Sequence, residues 1–222
     1  MSLLVISAAF GAKIDFSVSN NTDRLRPMTI GFGDTTPYVY VGSINIDWSL
    51  QGQPAQNMWT YCVDISEHID LGYSYTGYNL SNLGDAPIDS PQGPHMGQKA
   101  ASDIQKMWNK YYSTLTTADQ CAGFQIAVWD LVYNSDHDNS YKVPGNKNRT
   151  FYMTDLNDVS VVYADSYLTY VKGTCEDAPF TLSAITYAGG QDLMVPEPHA
   201  LAGVLFLSSM IGLGIRRRSV KA

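Results

Sequence analysis

From Lys13 to about Gly72, apolar and polar positions alternate with a period of two. KIDFSVS, YVYVGSINIDW and NMWTYCVDI each gather their apolar residues on one face, the pattern of half-buried strands, with Gly, Pro, Asn and Asp punctuating between them. Residues 73–95 (YSYTGYNLSNLGDAPIDSPQGPH) are dense in turn formers and predict a long surface excursion. The period then changes. In KAASDIQKMWNKYY, Ala101, Ile104, Trp108 and Tyr111 recur at helical spacing, which predicts an amphipathic helix. Thr117-Ala118-Asp119 can cap a second helix running to about Tyr133. Asn134 to Arg149 is polar and loop-like. VSVVYADSYLTYV reads as a helix because Ala164, Leu168 and Val171 share a face, and PFTLSAITYAGGQDLMV reads as closing strands. The predicted fold class is α+β: an antiparallel β-sandwich or barrel with a small helical insertion, in one domain.

Composition agrees with that reading. The chain has 222 residues, 45% of them hydrophobic and 16% charged, and its 15 Tyr and 18 Gly favour strands and turns over a helical bundle. Four of the 14 basic residues lie beyond Glu197, the last acidic one, so residues 1–198 carry 10 basic against 21 acidic side chains. That balance argues against a nucleic-acid partner. Three cysteines, Cys62, Cys121 and Cys175, are too few for a disulfide scaffold, and their odd number leaves at least one thiol unpaired. Any of the three pairings is open; Cys121 with Cys175 would leave Cys62 free.

The two ends carry an address. Residues 199–215 contain no Asp, Glu, Lys or Arg and are followed by Arg216, Arg217 and Arg218. This predicts a short C-terminal transmembrane helix with a cytoplasmic end; the plainer alternative is a last core helix with a basic tip. Just upstream stand Pro196, Glu197 and Pro198. Pro-Glu-Pro, an apolar span and an arginine cluster, in that order, resemble the PEP-CTERM sorting signal of bacteria that make exopolysaccharide. The resemblance implies processing near the motif by an exosortase-type membrane enzyme. At the other end, Leu3 to Phe10 resembles the apolar core of a signal peptide, although no Lys or Arg precedes it and it could instead be a first strand. The predicted organisation is a signal peptide over 1–12, an exported body over 13–194 and a sorting signal over 195–222. Its location would be membrane-anchored through the C-terminus before processing, then cell surface or extracellular matrix.

Chemistry is suggested by the second helix. From Ala122 to Tyr133 its only polar side chains are Gln125 and Asp130, so Gln125 should be buried. An unpaired buried amide costs roughly 1–3 kcal/mol, so Gln125 either satisfies hydrogen bonds in the core or has reacted. Tyr61-Cys62-Val63-Asp64 on a predicted strand and Phe124-Gln125-Ile126-Ala127-Val128-Trp129 on this helix together resemble the thioester domains of bacterial surface adhesins. In that family a cysteine after an aromatic residue joins the glutamine of a Thr-Gln-x-Ala-Ile-Trp motif. The resemblance implies a thioester between Cys62 and Gln125, shielded by Tyr61, Phe124 and Trp129, with Phe124 standing where the adhesins have Thr. A thiol held against a carboxamide can displace ammonia, because proximity replaces much of the entropic barrier.

The function expected from this resemblance is single-turnover covalent capture of a nucleophile on a partner surface or matrix, without enzymatic turnover, cofactor or metal. The alternative is a non-covalent structural protein of the extracellular matrix with the same fold and sorting signal. A cysteine hydrolase would need Cys62 or Cys121 beside His68, His95, His137 or His199, and no such spacing is evident. Asp136-His137-Asp138-Asn139 lacks the glycine and terminal glutamate of a calcium loop.

Overall fold

Along the first strand Ile14, Phe16 and Val18 are buried while Lys13 and Asp15 are exposed, the alternation expected of a strand with one face in a core. The structure is a computed structural model that describes residues 12–50, 53–88, 95–134, 141–174 and 182–197. Its strands, numbered along the chain, are β1 (Lys13–Val18), β2 (Leu25–Phe32), β3 (Tyr38–Gly42), β4 (Ile44–Leu50), β5 (Gln56–Cys62), β6 (Ser74–Asn82), β7 (Phe151–Met153), β8 (Leu182–Tyr187) and β9 (Gly190–Pro196). The helices are α1 (Gly97–Tyr111), α2 (Ala118–Asn134) and α3 (Val159–Gly173).

Six strands close into an antiparallel barrel in the order β1-β4-β5-β9-β8-β6, and β3-β2-β7 form a separate three-stranded sheet. The expected α+β class therefore takes its barrel form, not the sandwich. Ile14, Phe16, Ile46, Trp48, Leu80, Ile185, Leu193 and Val195 fill the barrel. A second, larger core lies between the barrel wall, the helices and the small sheet; Tyr61, Ala184 and Met194 reach it from β5, β8 and β9. Strands β8 and β9 are thus buried on both faces, which is why their sequences run apolar instead of alternating.

Helix α2 sits at the centre of that second core and is buried almost all round. Its cap is the expected one: Thr117 Oγ1 accepts from Gln120 N at 3.2 Å. A Cβ at Gly123 would lie 2.7 Å from the Ser160 carbonyl of α3, so glycine lets the two helices approach closely. Arg26 of β2 holds both N-terminal turns, donating to Asp119 of α2 at 2.7 Å and to Asp158, the N-cap of α3, at 2.9 Å.

Three expectations need correction. The stretch 73–95 is not wholly a surface excursion, because β6 occupies Ser74–Asn82 and closes the barrel between β1 and β8. Its alternation is broken by a bulge: Phe16 and Ile14 of β1 face Tyr75 and Tyr78, three residues apart, with Gly77 between them at φ 80°. YVYVGSINIDW is two strands in two sheets, not one. The chain turns at Gly42, whose φ is 143° and whose Cβ would fall 2.0 Å from the Arg24 carbonyl. Strands β2 and β7 belong to no predicted element; Pro27 and Gly31 make LRPMTIGF read as a turn, and β7 has three residues.

Strand β9 continues through Val195 and Pro196, two residues beyond the expected boundary at 194. The expected signal peptide, apart from Ala12, lies outside the described residues. So do Cys175, His137, Pro198, His199, the C-terminal span and Arg216, Arg217 and Arg218. Among the described residues no helix is long and apolar enough to cross a membrane.

Candidate functional site

Cys62 is the last residue of β5, at a place where the ladder loses a neighbour. Pairing between β4 and β5 runs from Trp48 opposite Gln56 to Ile44 opposite Thr60 and stops there, because the preceding chain has turned away at Gly42. The N–H and C=O of alternate residues point to the same edge of a strand, so after Thr60 the next pair on that edge belongs to Cys62. No strand meets it. Gln125 of α2 does: its Oε1 accepts from Cys62 N at 3.0 Å and its Nε2 donates to Cys62 O at 2.7 Å. The side-chain amide imitates a peptide unit of the missing strand, and it is buried at 1% exposure.

The structure therefore brings the two sequence-predicted reactive residues into direct contact. The carbonyl carbon of Gln125 is held between the two bonds that pin it to the Cys62 backbone. Cys62 is partly buried and packs where the two cores meet. Burial pushes its thiol up to about 12, with the charge of Asp64 as the second cause.

Tyr61 and Phe124, each adjacent in sequence to a reactive residue, pack on one another with ring centroids 4.7 Å apart, and Trp108 meets Tyr61 edge-on at 6.3 Å. All three belong to the core between the barrel wall and the helices. Burial raises the Tyr61 hydroxyl well above its ordinary value, and the neighbouring Cys121 adds to it. Trp129, one helical turn after Gln125, packs its ring edge-on against Phe151 of β7 at 5.9 Å, and its Nε1 is buried with no hydrogen-bond partner. Cys121 is a free thiol one helical turn before Gln125 and fully buried. Of the histidines, His95 is bound to the Pro87 carbonyl at 3.0 Å.

Sequence reasoning gave no part to Tyr133, Asp64 or Gln191, which continue the seam. Tyr133, two turns after Gln125 on α2, donates to Asp64 Oδ1 at 3.1 Å and accepts from Ile65 N at 3.1 Å. Gln191 Nε2 donates to the Asp64 carbonyl. Val63 N donates to Asp192 O of β9 at 2.9 Å. Helix α2 thus grips the end of β5 at two points, Gln125 on Cys62 and Tyr133 on Asp64 with Ile65. Nothing in the sequence marks the second grip, since a tyrosine near the end of an apolar helix is ordinary.

No family model and no curated protein sequence matches the chain. Among solved structures the chain is similar to the N-terminal thioester domain of a surface protein from Clostridium perfringens, at 12% identity and a TM-score of 0.44, over 82% of this chain and 97% of that one.

Proposed function

We propose that this chain is an exported surface protein in which Cys62 and Gln125 condense to an internal thioester that captures a nucleophile on a partner. The observation that carries this reading is the seating of the Gln125 amide on the Cys62 peptide at 3.0 and 2.7 Å. When sulfur attacks the amide carbon, charge develops on Oε1, and the Cys62 N–H already donates to that atom. The departing nitrogen is held by the Cys62 carbonyl. Condensation forms a C–S bond, breaks the C–N bond and releases ammonia. The product is an electrophile, with the Tyr61 and Phe124 rings packed together beside its two parent residues to keep water away. An amine that attacks it becomes amide-linked to the Gln125 acyl group and regenerates the thiol, so each molecule acts once.

The address is part of the same proposal and is supported by sequence alone. Pro196, Glu197 and Pro198, the apolar span and Arg216 to Arg218 would anchor the protein by its C-terminus until an exosortase-type enzyme releases it.

Intact mass tests the capture reading. The native chain should be lighter than its sequence by one ammonia; Cys62→Ala and Gln125→Ala should abolish the deficit, Cys121→Ser should retain it, and methylamine should add to the native form. A native chain at full mass whose Cys62 is alkylated by a thiol reagent sinks the proposal. It would leave a second reading, favoured by the pairing of the amide with both the N–H and the C=O of Cys62: a non-covalent matrix protein in which Gln125 only ties helix to barrel.

A further inference from the structure

We infer that Asp64 carries the proton in the condensation of Cys62 with Gln125, an inference that rests on the thioester reading. Asp64 follows Cys62 by two residues, just past the end of β5, and its carboxylate lies in the same seam against α2 that holds the Gln125 amide. It is buried at 2% exposure, and among the described residues no cation pairs with it. A buried carboxylate without a counter-charge is costly to keep. All its hydrogen bonds fall on one oxygen: Oδ1 accepts from Ser66 N at 2.8 Å, Ser66 Oγ at 2.6 Å and Tyr133 Oη at 3.1 Å. Oδ2 accepts none, so the carboxylate is fixed in orientation with one oxygen free to take a proton.

The neighbouring thiol needs such an acceptor. Pushed up to about 12, chiefly by burial, it would be ionised in only about one molecule in 10⁵ at neutral pH. A thiolate waiting in the site is therefore not the nucleophile; the proton must leave as sulfur attacks. In the balanced step the Cys62 S–H proton passes to Asp64 while the sulfur bonds to the Gln125 carbonyl carbon, and the tetrahedral oxyanion is held by the Cys62 N–H. Asp64 then returns that proton to the nitrogen, the C–N bond breaks and ammonia leaves. The carboxylate ends as it began. The titratable groups around Asp64 are Cys62 on its own segment, Tyr133 on α2, and Asp192 on β9, whose carboxylate is turned towards Ile88 N and Tyr187 N.

The test uses the full chain recovered unfolded in denaturant, refolded by dilution and followed by intact mass. The wild-type chain should lose ammonia at a rate that stays flat from neutral pH towards pH 9. Asp64→Asn, which keeps the shape and can still accept from Ser66 and Tyr133, should fold by circular dichroism and condense about 10²- to 10⁴-fold more slowly. Its residual rate should climb tenfold per pH unit, because the thiolate must then form without help, and Asp64→Glu should recover part of the loss. A folded Asp64→Asn that condenses at the wild-type rate overturns the inference and leaves the thioester reading standing. Should that variant not fold, the wild-type profile decides: a rate climbing tenfold per unit through neutrality overturns it, and a rate flat through neutrality supports it. A wild-type chain that refolds and never loses ammonia removes the thioester reading and this inference with it.

Discussion

Gln125 serves Cys62 in two ways that can be separated. As a hydrogen-bonding group it occupies the ladder position that β4 leaves empty, and this part survives removal of the thiol. In a Cys62→Ala background, Gln125→Met should strip both bonds from a buried peptide and destabilise the fold by about 2–4 kcal/mol in urea titration. A loss near zero would mean that water reaches the Cys62 peptide and that the amide is held only for its chemistry. The thiol adds a pH dependence of known sign. Its folded value is raised from 9.0 to about 12, mainly by burial and then by Asp64. Stabilisation from keeping the thiol neutral is thus complete below the unfolded value and is lost as pH climbs towards the folded one. Buried tyrosines such as Tyr78, also raised to about 12, titrate in the same range. The measurement is therefore a difference: between about pH 9 and 12, the chain with a free Cys62 should lose stability more steeply than Cys62→Ala, whereas a thioester-bonded chain should track the alanine variant.

At the scale of elements, placement of the site depends on how α2 is wedged. Gly123→Ala would set a methyl group 2.7 Å from the Ser160 carbonyl and 2.6 Å from Tyr163 Cβ. We expect a loss of about 1–3 kcal/mol despite alanine's better helix propensity, read as a lowered thermal midpoint. An unchanged midpoint would mean that α3 can slide, and that the α2 register is set by Gln125 and Tyr133 alone. Helices α1 and α3 and the alternating strands β1 and β4 were legible in sequence because each has one period and one buried face, and α2 because a long apolar run follows a capping threonine. Strand β6 was not, since the bulge at Gly77 changes the period within nine residues. Nor was the break between β3 and β4, where one glycine moves the chain between sheets without interrupting the alternation. At the site, Cys62 and Gln125 stood out because an amide in an apolar helix and a cysteine beside an aromatic residue are locally odd. Asp64 and Tyr133 carry no such oddity, and only the packing of α2 along the end of β5 joins them.

For the whole molecule, the position of Cys62 fixes how tension would run. Cys62 is paired with Leu193, and β9 ends three residues later at Pro196, about 10 Å along the strand. Under the proposed anchoring, a pull from the tether enters at Pro196, and a pull from a captured partner enters at Gln125. Between those points run the end of β9, its pairings with β5 and β8, and the grip of Gln125 on Cys62. Strands β1, β4 and β6 and the three-stranded sheet stand outside this line. Mechanical strength would then rest on the β8-β9-β5 ladder and on the seat of α2 beside it.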